Sequence, residues 1–127
     1  MSSVRILVVE DSSAMRAFVR AALEEDPNVE VLEAASGFEA LRLLPRQKFD
    51  VVIVDVNMPD INGLELVSFM RRSEAHKTTP LLIISTEATQ KDRERGLSLG
   101  ANAYLAKPFL PEQLREMVAK VRGEPST

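Results

Sequence analysis

Five side chains in this sequence have the types needed to handle a phosphoryl group: the acidic pair Glu10-Asp11, then Asp55, Ser85 and Lys107. Brought to one place, the carboxylates repel. At about 4 Å and an effective dielectric near ~20, one like-charge pair costs on the order of 4 kcal/mol, so the cluster calls for a cation. Oxygen donors without His or Cys favour Mg²⁺, which prefers octahedral oxygen coordination, keeps waters and often works beside phosphate. An ammonium and a hydroxyl at the same place would help to position and neutralise the phosphoryl group.

That chemistry requires a fold in which scattered residues meet. Asp55 lies in Phe49 to Leu66, FDVVIVDVNMPDINGLEL, where the apolar run Val51 to Val54 leads into Asp55 and the turn residues Met58-Pro59 and Asn62-Gly63 follow. A run too short for a typical helix and stopped by turn residues reads as a strand buried on both faces. Asp55 then sits at the C-terminal edge of the strand, where ligands bind in open α/β sheets. Val4 to Val9 reads as a second such strand, delivering Glu10-Asp11. Leu81 to Ile84 carries Ser85, and the short strand Ala103 to Ala106 carries Lys107.

Helical periodicity fills the gaps. Met15, Phe18, Val19, Ala22 and Leu23 share one face of a first helix that Asp26-Pro27-Asn28 stops. Val29 to Ala34 alternates as a half-exposed edge strand. Ser36 and Glu39 have capping-box spacing, so a second helix starts near Gly37 and stops around Pro45. A third helix spans Leu64 to Arg72 with Leu66, Phe69 and Met70 inward, and Thr79-Pro80 marks the break after it. Thr89 and Asp92 cap a fourth that ends at Gly100. Its middle, Lys91 to Arg95, is all charged, and only Leu97 and Leu99 give it grip on a core, so it is expected to be the least firmly held. Pro111 suits the first turn of a fifth helix with Leu114, Met117, Val118 and Val121 as its apolar stripe. Five βα units without a composition break predict one three-layer α/β domain on a parallel sheet. The expected domain is residues 1–127, with a core of about 4–122 and a polar tail over 123–127.

Composition narrows the function classes. Of 127 residues, 45% are hydrophobic and 28% charged, ordinary for a globular domain, and a net charge of −3 argues against a nucleic-acid footprint. No cysteine means no disulfide framework and no thiolate metal site. The chain shows no signal peptide and no apolar stretch approaching the ~20 residues that span a bilayer, so it reads as cytoplasmic, with no membrane partner. A Walker loop, GxGxxG, zinc spacing and GxSxG are all missing, which leaves nucleotide hydrolysis, dinucleotide binding and serine-hydrolase chemistry without support.

In the acidic pair Glu10-Asp11, VDVNMPDINGLEL with Asp55, IISTEA with Ser85 and LAKPF with Lys107, the chain resembles the receiver domains of two-component response regulators over about Val4 to Arg122. The resemblance implies a flavodoxin-like, doubly wound (βα)5 fold with strand order 2-1-3-4-5. It implies that Asp55 takes a phosphoryl group from a sensor histidine kinase. Mg²⁺ would be held by Asp11, Asp55 and the Asn57 backbone carbonyl, with Glu10 reaching it through water. Lys107 would pair with one phosphate oxygen and Ser85 with another, freeing space that Tyr104 can fill from outside. The fourth helix, fifth strand and fifth helix would then bind a protein effector, in a protein that is a monomer or weak dimer and not an enzyme. Asn57 and Glu87, each two positions beyond a site residue, resemble the pattern of chemotaxis-type members that lose their phosphoryl group quickly.

Plainer roles stand beside these. Glu10-Asp11 can cap the first helix, Ser85 can be a capping hydroxyl, and Tyr104 can be half-buried packing. His76 reads as a solvated histidine, and Lys91 to Arg95 as a solvated face that also has room for a partner. A phosphorelay intermediate, a phosphate sink and a receiver fragment of a larger regulator fit the same motifs. An aspartate-based phosphatase would place a second Asp where Asn57 stands, and a flavin-binding protein would not place Glu10-Asp11 in its phosphate loop.

Overall fold

Strands buried on both faces need unbroken apolar runs, and the three inner strands of this chain supply them in Ile6 to Val9, Val51 to Val54 and Leu81 to Ile84. The computed structural model describes residues 3–123. Its elements run β1 (Val4–Val9), α1 (Ser13–Leu23), β2 (Val29–Ala34), α2 (Gly37–Leu43), β3 (Val51–Asp55), α3 (Gly63–Arg72), β4 (Leu81–Ser85), α4 (Gln90–Ser98), β5 (Ala103–Ala106) and α5 (Pro111–Val121). All strands are parallel, in the order β2-β1-β3-β4-β5. This is the flavodoxin-like (βα)5 arrangement that the resemblance implied. The tail over residues 124–127 lies outside the described residues.

Side chains alternate across a strand with period two, so each apolar run feeds two cores. Leu7, Val9, Val52, Val54, Leu81 and Ile83 pack under α2, α3 and α4. Ile6, Val8, Val51, Ile53, Leu82 and Ile84 pack under α1 and α5. Helix starts follow their caps: Ser12, Ser36, Asn62 and Thr89 each accept a backbone N–H of the first turn, and Thr89 with Asp92 completes a reciprocal capping box. Among the described residues no helix is long and apolar enough to cross a membrane.

Three sequence expectations need correction. Phe69 is not inward: α3 buries Gly63, Leu66, Val67 and Met70, and Phe69 flanks that stripe at 38% exposure. Leu97 gives α4 no grip, being 45% exposed; the buried residue of α4 is Gly96, whose missing side chain lets the helix lie close on the sheet. His76 is buried, not solvated. Its Nε2–H donates to the Leu44 carbonyl at 2.5 Å, and its Nδ1 lies 3.1 Å from the Thr79 hydroxyl. A polar residue in a loop reads as solvated unless the partners that satisfy it are known, and here one is local and the other, the Leu44 carbonyl, comes from a distant helix end.

Candidate functional site

The parallel sheet brings its C-terminal strand ends together, and register decides which side chains meet. Asp55 pairs with Ile84 and Ser85 with Ala106, so Ser85 and Lys107 each stand one residue beyond a strand neighbour. Glu10 continues the parity of Ile6 and Val8, Asp55 that of Val51 and Ile53, and Lys107 that of Ala103 and Leu105; all three lean to the α1–α5 side. Ser85 and Tyr104 share the opposite parity, under α4.

The ammonium of Lys107 lies 2.6 Å from Glu10 Oε1 and 3.4 Å from Asp55 Oδ1. The second oxygen of Glu10 accepts the Ser12 backbone N–H at 3.0 Å. Glu10 and Asp55 are both buried, whereas Asp11 is exposed. Burial is the largest influence on Asp55 and pushes its carboxyl up to about 6, with the Glu10 charge adding to it and Lys107 opposing. Burial acts the same way on Glu10, but the hydrogen bonds from Lys107 and Ser12 outweigh it and hold that carboxyl below the usual range. Burial would lower Lys107, yet Glu10 and Asp55 together raise it. Two neighbouring carboxylates are thus driven apart: one is a firmly ionised anchor and the other is poised.

Glu10, Asp11 and Asp55 each offer a carboxylate oxygen, and these atoms lie within 4.8 Å of one another. This set of hard oxygen donors, with negative charge exceeding what one lysine neutralises, fits a divalent cation such as Mg²⁺. Asn57 follows on the β3–α3 loop and is exposed. That loop is held tightly. Gly63 presses so close to β3 that a Cβ there would stand 2.2 Å from the Asp55 carbonyl oxygen, and the Gly63 N–H donates to Val56 O at 2.8 Å. Asp60 on the same loop accepts the Gly37 and Phe38 N–H groups at 3.2 and 3.0 Å, tying it to the start of α2.

On the other side of the edge, Ser85 is fully buried and its Oγ accepts the Glu87 N–H at 2.9 Å. The capping role is therefore present in the resting geometry. Tyr104 departs from the expected outward position: it is buried, and its hydroxyl donates to the Glu87 carbonyl. The cause lies in α4. Gly96 leaves room for the ring, and the Arg93 guanidinium covers it at 5.6 Å while donating to the Tyr104 and Ala88 carbonyls at 3.2 and 3.4 Å. Glu87 itself is exposed, its backbone joining Ser85 to Tyr104. Sequence reasoning placed Arg93 in a solvated run; the signal that could have corrected it is the glycine three residues on, in a helix otherwise short of apolar residues.

The sequence profile of the family described as response regulator receiver domain matches residues 6–119. A chemotaxis protein CheY homolog of Campylobacter jejuni is 38% identical over 121 residues, covering 94% of this chain and 93% of its own length. Among solved structures, the chemotaxis response regulator CheY4 of Vibrio cholerae superposes with a TM-score of 0.88 at 38% identity, covering 94% of this chain and 99% of that one. The receiver domain of sensor histidine kinase PA1611 from Pseudomonas aeruginosa, solved with a magnesium ion coordinated in its active-site cleft, gives 0.87 at 30% identity, covering 97% and 100%.

Proposed function

The chain belongs to the response regulator receiver domain family of two-component signalling, and from that premise we propose that it is a phosphorylation switch with Asp55 as acceptor. The observation that carries this reading is the buried Asp55 carboxylate at the end of β3, beside the Lys107 ammonium and the acidic pair. An Asp55 oxygen attacks the phosphorus of a phosphohistidine on a partner kinase. The P–N bond breaks, and the imidazole nitrogen keeps the bonding pair and takes a proton. Asp11, Asp55 and the Asn57 backbone carbonyl would hold Mg²⁺, with Glu10 reaching it through water; when bound, the ion supplies charge neutralisation to the phosphoryl oxygens.

The chain's own residues do the rest. Lys107 already bridges Glu10 and Asp55, so it meets a phosphoryl oxygen on Asp55 with little movement. Ser85 trades the Glu87 N–H for another phosphoryl oxygen, which frees the Glu87 segment to which the Tyr104 hydroxyl is bonded. Tyr104 thus follows Glu87 and does not wait outside. Phosphorylation places ~1.5 to 2 negative charges at one point, enough to bias a two-state loop and helix. α4 with its single buried residue is the helix most easily shifted, so the α4–β5–α5 face is the surface that presents the change to a protein effector.

Intact-mass analysis after incubation with a small phosphodonor and Mg²⁺ tests the acceptor. Wild type is expected to carry a base-labile phosphoryl adduct that Asp55→Asn lacks; an adduct surviving in Asp55→Asn would overturn the assignment. Its decay rate then reads the flanking positions: Asn57→Arg and Glu87→Ala are expected to change the phosphorylated lifetime, and an unchanged lifetime in both would remove them from that role.

A further inference from the structure

Away from the site, α2 and α3 enclose an open groove of about 320 Å³ lined by Leu41, Ile61, Glu65, Ser68, Phe69 and Arg72. Phe69 stands 38% exposed in it, and Phe38 is 60% exposed on α2. Residues 65, 68, 69 and 72 follow the i, i+3, i+4, i+7 pattern, one stripe of α3 facing away from the core. Among the described residues neither the Glu65 nor the Arg72 side chain has an ion-pair or hydrogen-bond partner. An acid in the first turn and a base in the last suit the helix dipole. The dipole does not account for an uncovered phenylalanine between them.

We propose that this face is where two copies of the chain associate, their α3 helices antiparallel across a two-fold axis that passes near Ser68 and Phe69. Glu65 and Arg72 are seven residues apart, roughly 10.5 Å along the helix, with the ring close to the midpoint. A two-fold operation about that midpoint lays Glu65 of each copy on Arg72 of the other and brings the two Phe69 rings into contact. One stripe therefore supplies both halves of its own complement, which is what an isologous interface requires. Apolar side chains at the centre and charges at the rim also match the layout of protein interfaces. A partner carrying a single sign of charge would leave one end of the stripe opposed. The proposal does not depend on Asp55 being the phosphoacceptor.

Sedimentation equilibrium on the full chain at low salt, from roughly 10 μM to 1 mM, tests it. Wild type is expected to form dimers in that range, and Phe69→Ser to be monomeric. Glu65→Arg and Arg72→Glu should each weaken self-association by at least about tenfold, because each puts like charges at both ends of the interface. Mixed together, the two charge variants should dimerise again, since every contact is then opposite in sign. Unchanged thermal melts would show that all three variants fold. A wild type monomeric throughout, charge variants that dimerise like wild type, or a mixture that stays monomeric would each overturn the proposal.

Discussion

The two ends of the same sheet hold their polar groups on opposite terms. At the N-terminal edge, Arg71 donates to Gly100 O at 2.8 Å, His76 O at 2.9 Å and Asn102 Oδ1 at 3.0 Å. Asn102 Oδ1 also accepts the Leu81 N–H that begins β4, and His76, held by Leu44 and Thr79, stacks on Phe49. Each of these partners is a neutral carbonyl, amide or hydroxyl group. At the C-terminal edge, Glu10 and Asp55 share one lysine, and Asp55 is driven up to about 6. One end is saturated and fastens loops; the other keeps an unresolved charge, which is what the proposed cation binding and phosphoryl transfer require.

If that contrast is right, substitutions at the two ends change stability with opposite sign. Arg71→Met strips three bonds and leaves the half-buried Gly100 carbonyl without its donor, while His76 O keeps the Thr79 N–H and Asn102 Oδ1 the Leu81 N–H, and is expected to cost about 2–4 kcal/mol in urea unfolding at neutral pH. His76→Leu keeps the volume but orphans the Leu44 carbonyl, for about 1–3 kcal/mol. Asp55→Asn removes the repulsion from Glu10 and should stabilise by about 1–3 kcal/mol. An Asp55→Asn protein less stable than wild type would show that Lys107 more than offsets the repulsion, and the comparison would fail at its active end.

A pH series sharpens the same point with a smaller effect. Asp55 has a folded pKa of about 6 against 3.8 for the free group, so its protonation favours the folded state. Stability from this group is fully present below 3.8 and is lost as pH rises through 6. Glu10 works the other way: its folded value lies below the free value of 4.5, so its contribution is lost as pH falls below that. Between pH 7.5 and 5 the melting temperature should therefore rise by roughly 2–8 °C, level off, and then fall. Asp55→Asn should abolish the rise, and added Mg²⁺ should raise stability at pH 7.5. A rise that persists in Asp55→Asn would assign it to another group.

How much of this could be read from the residues alone differs between the ends for a physical reason. The strands were legible because burial on both faces forces unbroken apolar runs, as in Val51 to Val54 and Leu81 to Ile84. Glu10, Asp55, Ser85 and Lys107 were legible because each follows such a run directly. Phe69 was misplaced because successive helix positions differ by about 100°, so a stripe through Leu66 and Met70 runs equally well through Phe69 or Val67 until the sheet fixes which side is covered. His76 and Arg71 gave no signal, since their partners are mostly backbone carbonyls, which every residue has. The inward Tyr104 was hidden for a similar reason: what admits it is the missing side chain of Gly96.

That last contact yields the finest test, at the border between the charged edge and the surface proposed to read it. A Cβ on Gly96 would meet Ile83 Cδ1 at 2.8 Å and the Tyr104 ring at 3.1 Å. Gly96→Ala gains up to about 1 kcal/mol of helix propensity, and the crowding offsets part or all of it, so overall stability should stay within about 1 kcal/mol of wild type. The ring, however, must move outward or α4 must lift. Tyr104 is the sole tyrosine and there is no tryptophan, so ultraviolet emission reports on this one ring. Quenching by acrylamide is expected to increase in Gly96→Ala, and by less in Arg93→Ala, which uncovers the ring without pushing it. Should neither variant change the quenching, Tyr104 is held by its bond to the Glu87 carbonyl alone, and the proposed coupling from Ser85 to the α4–β5–α5 face would run through that backbone and not through α4.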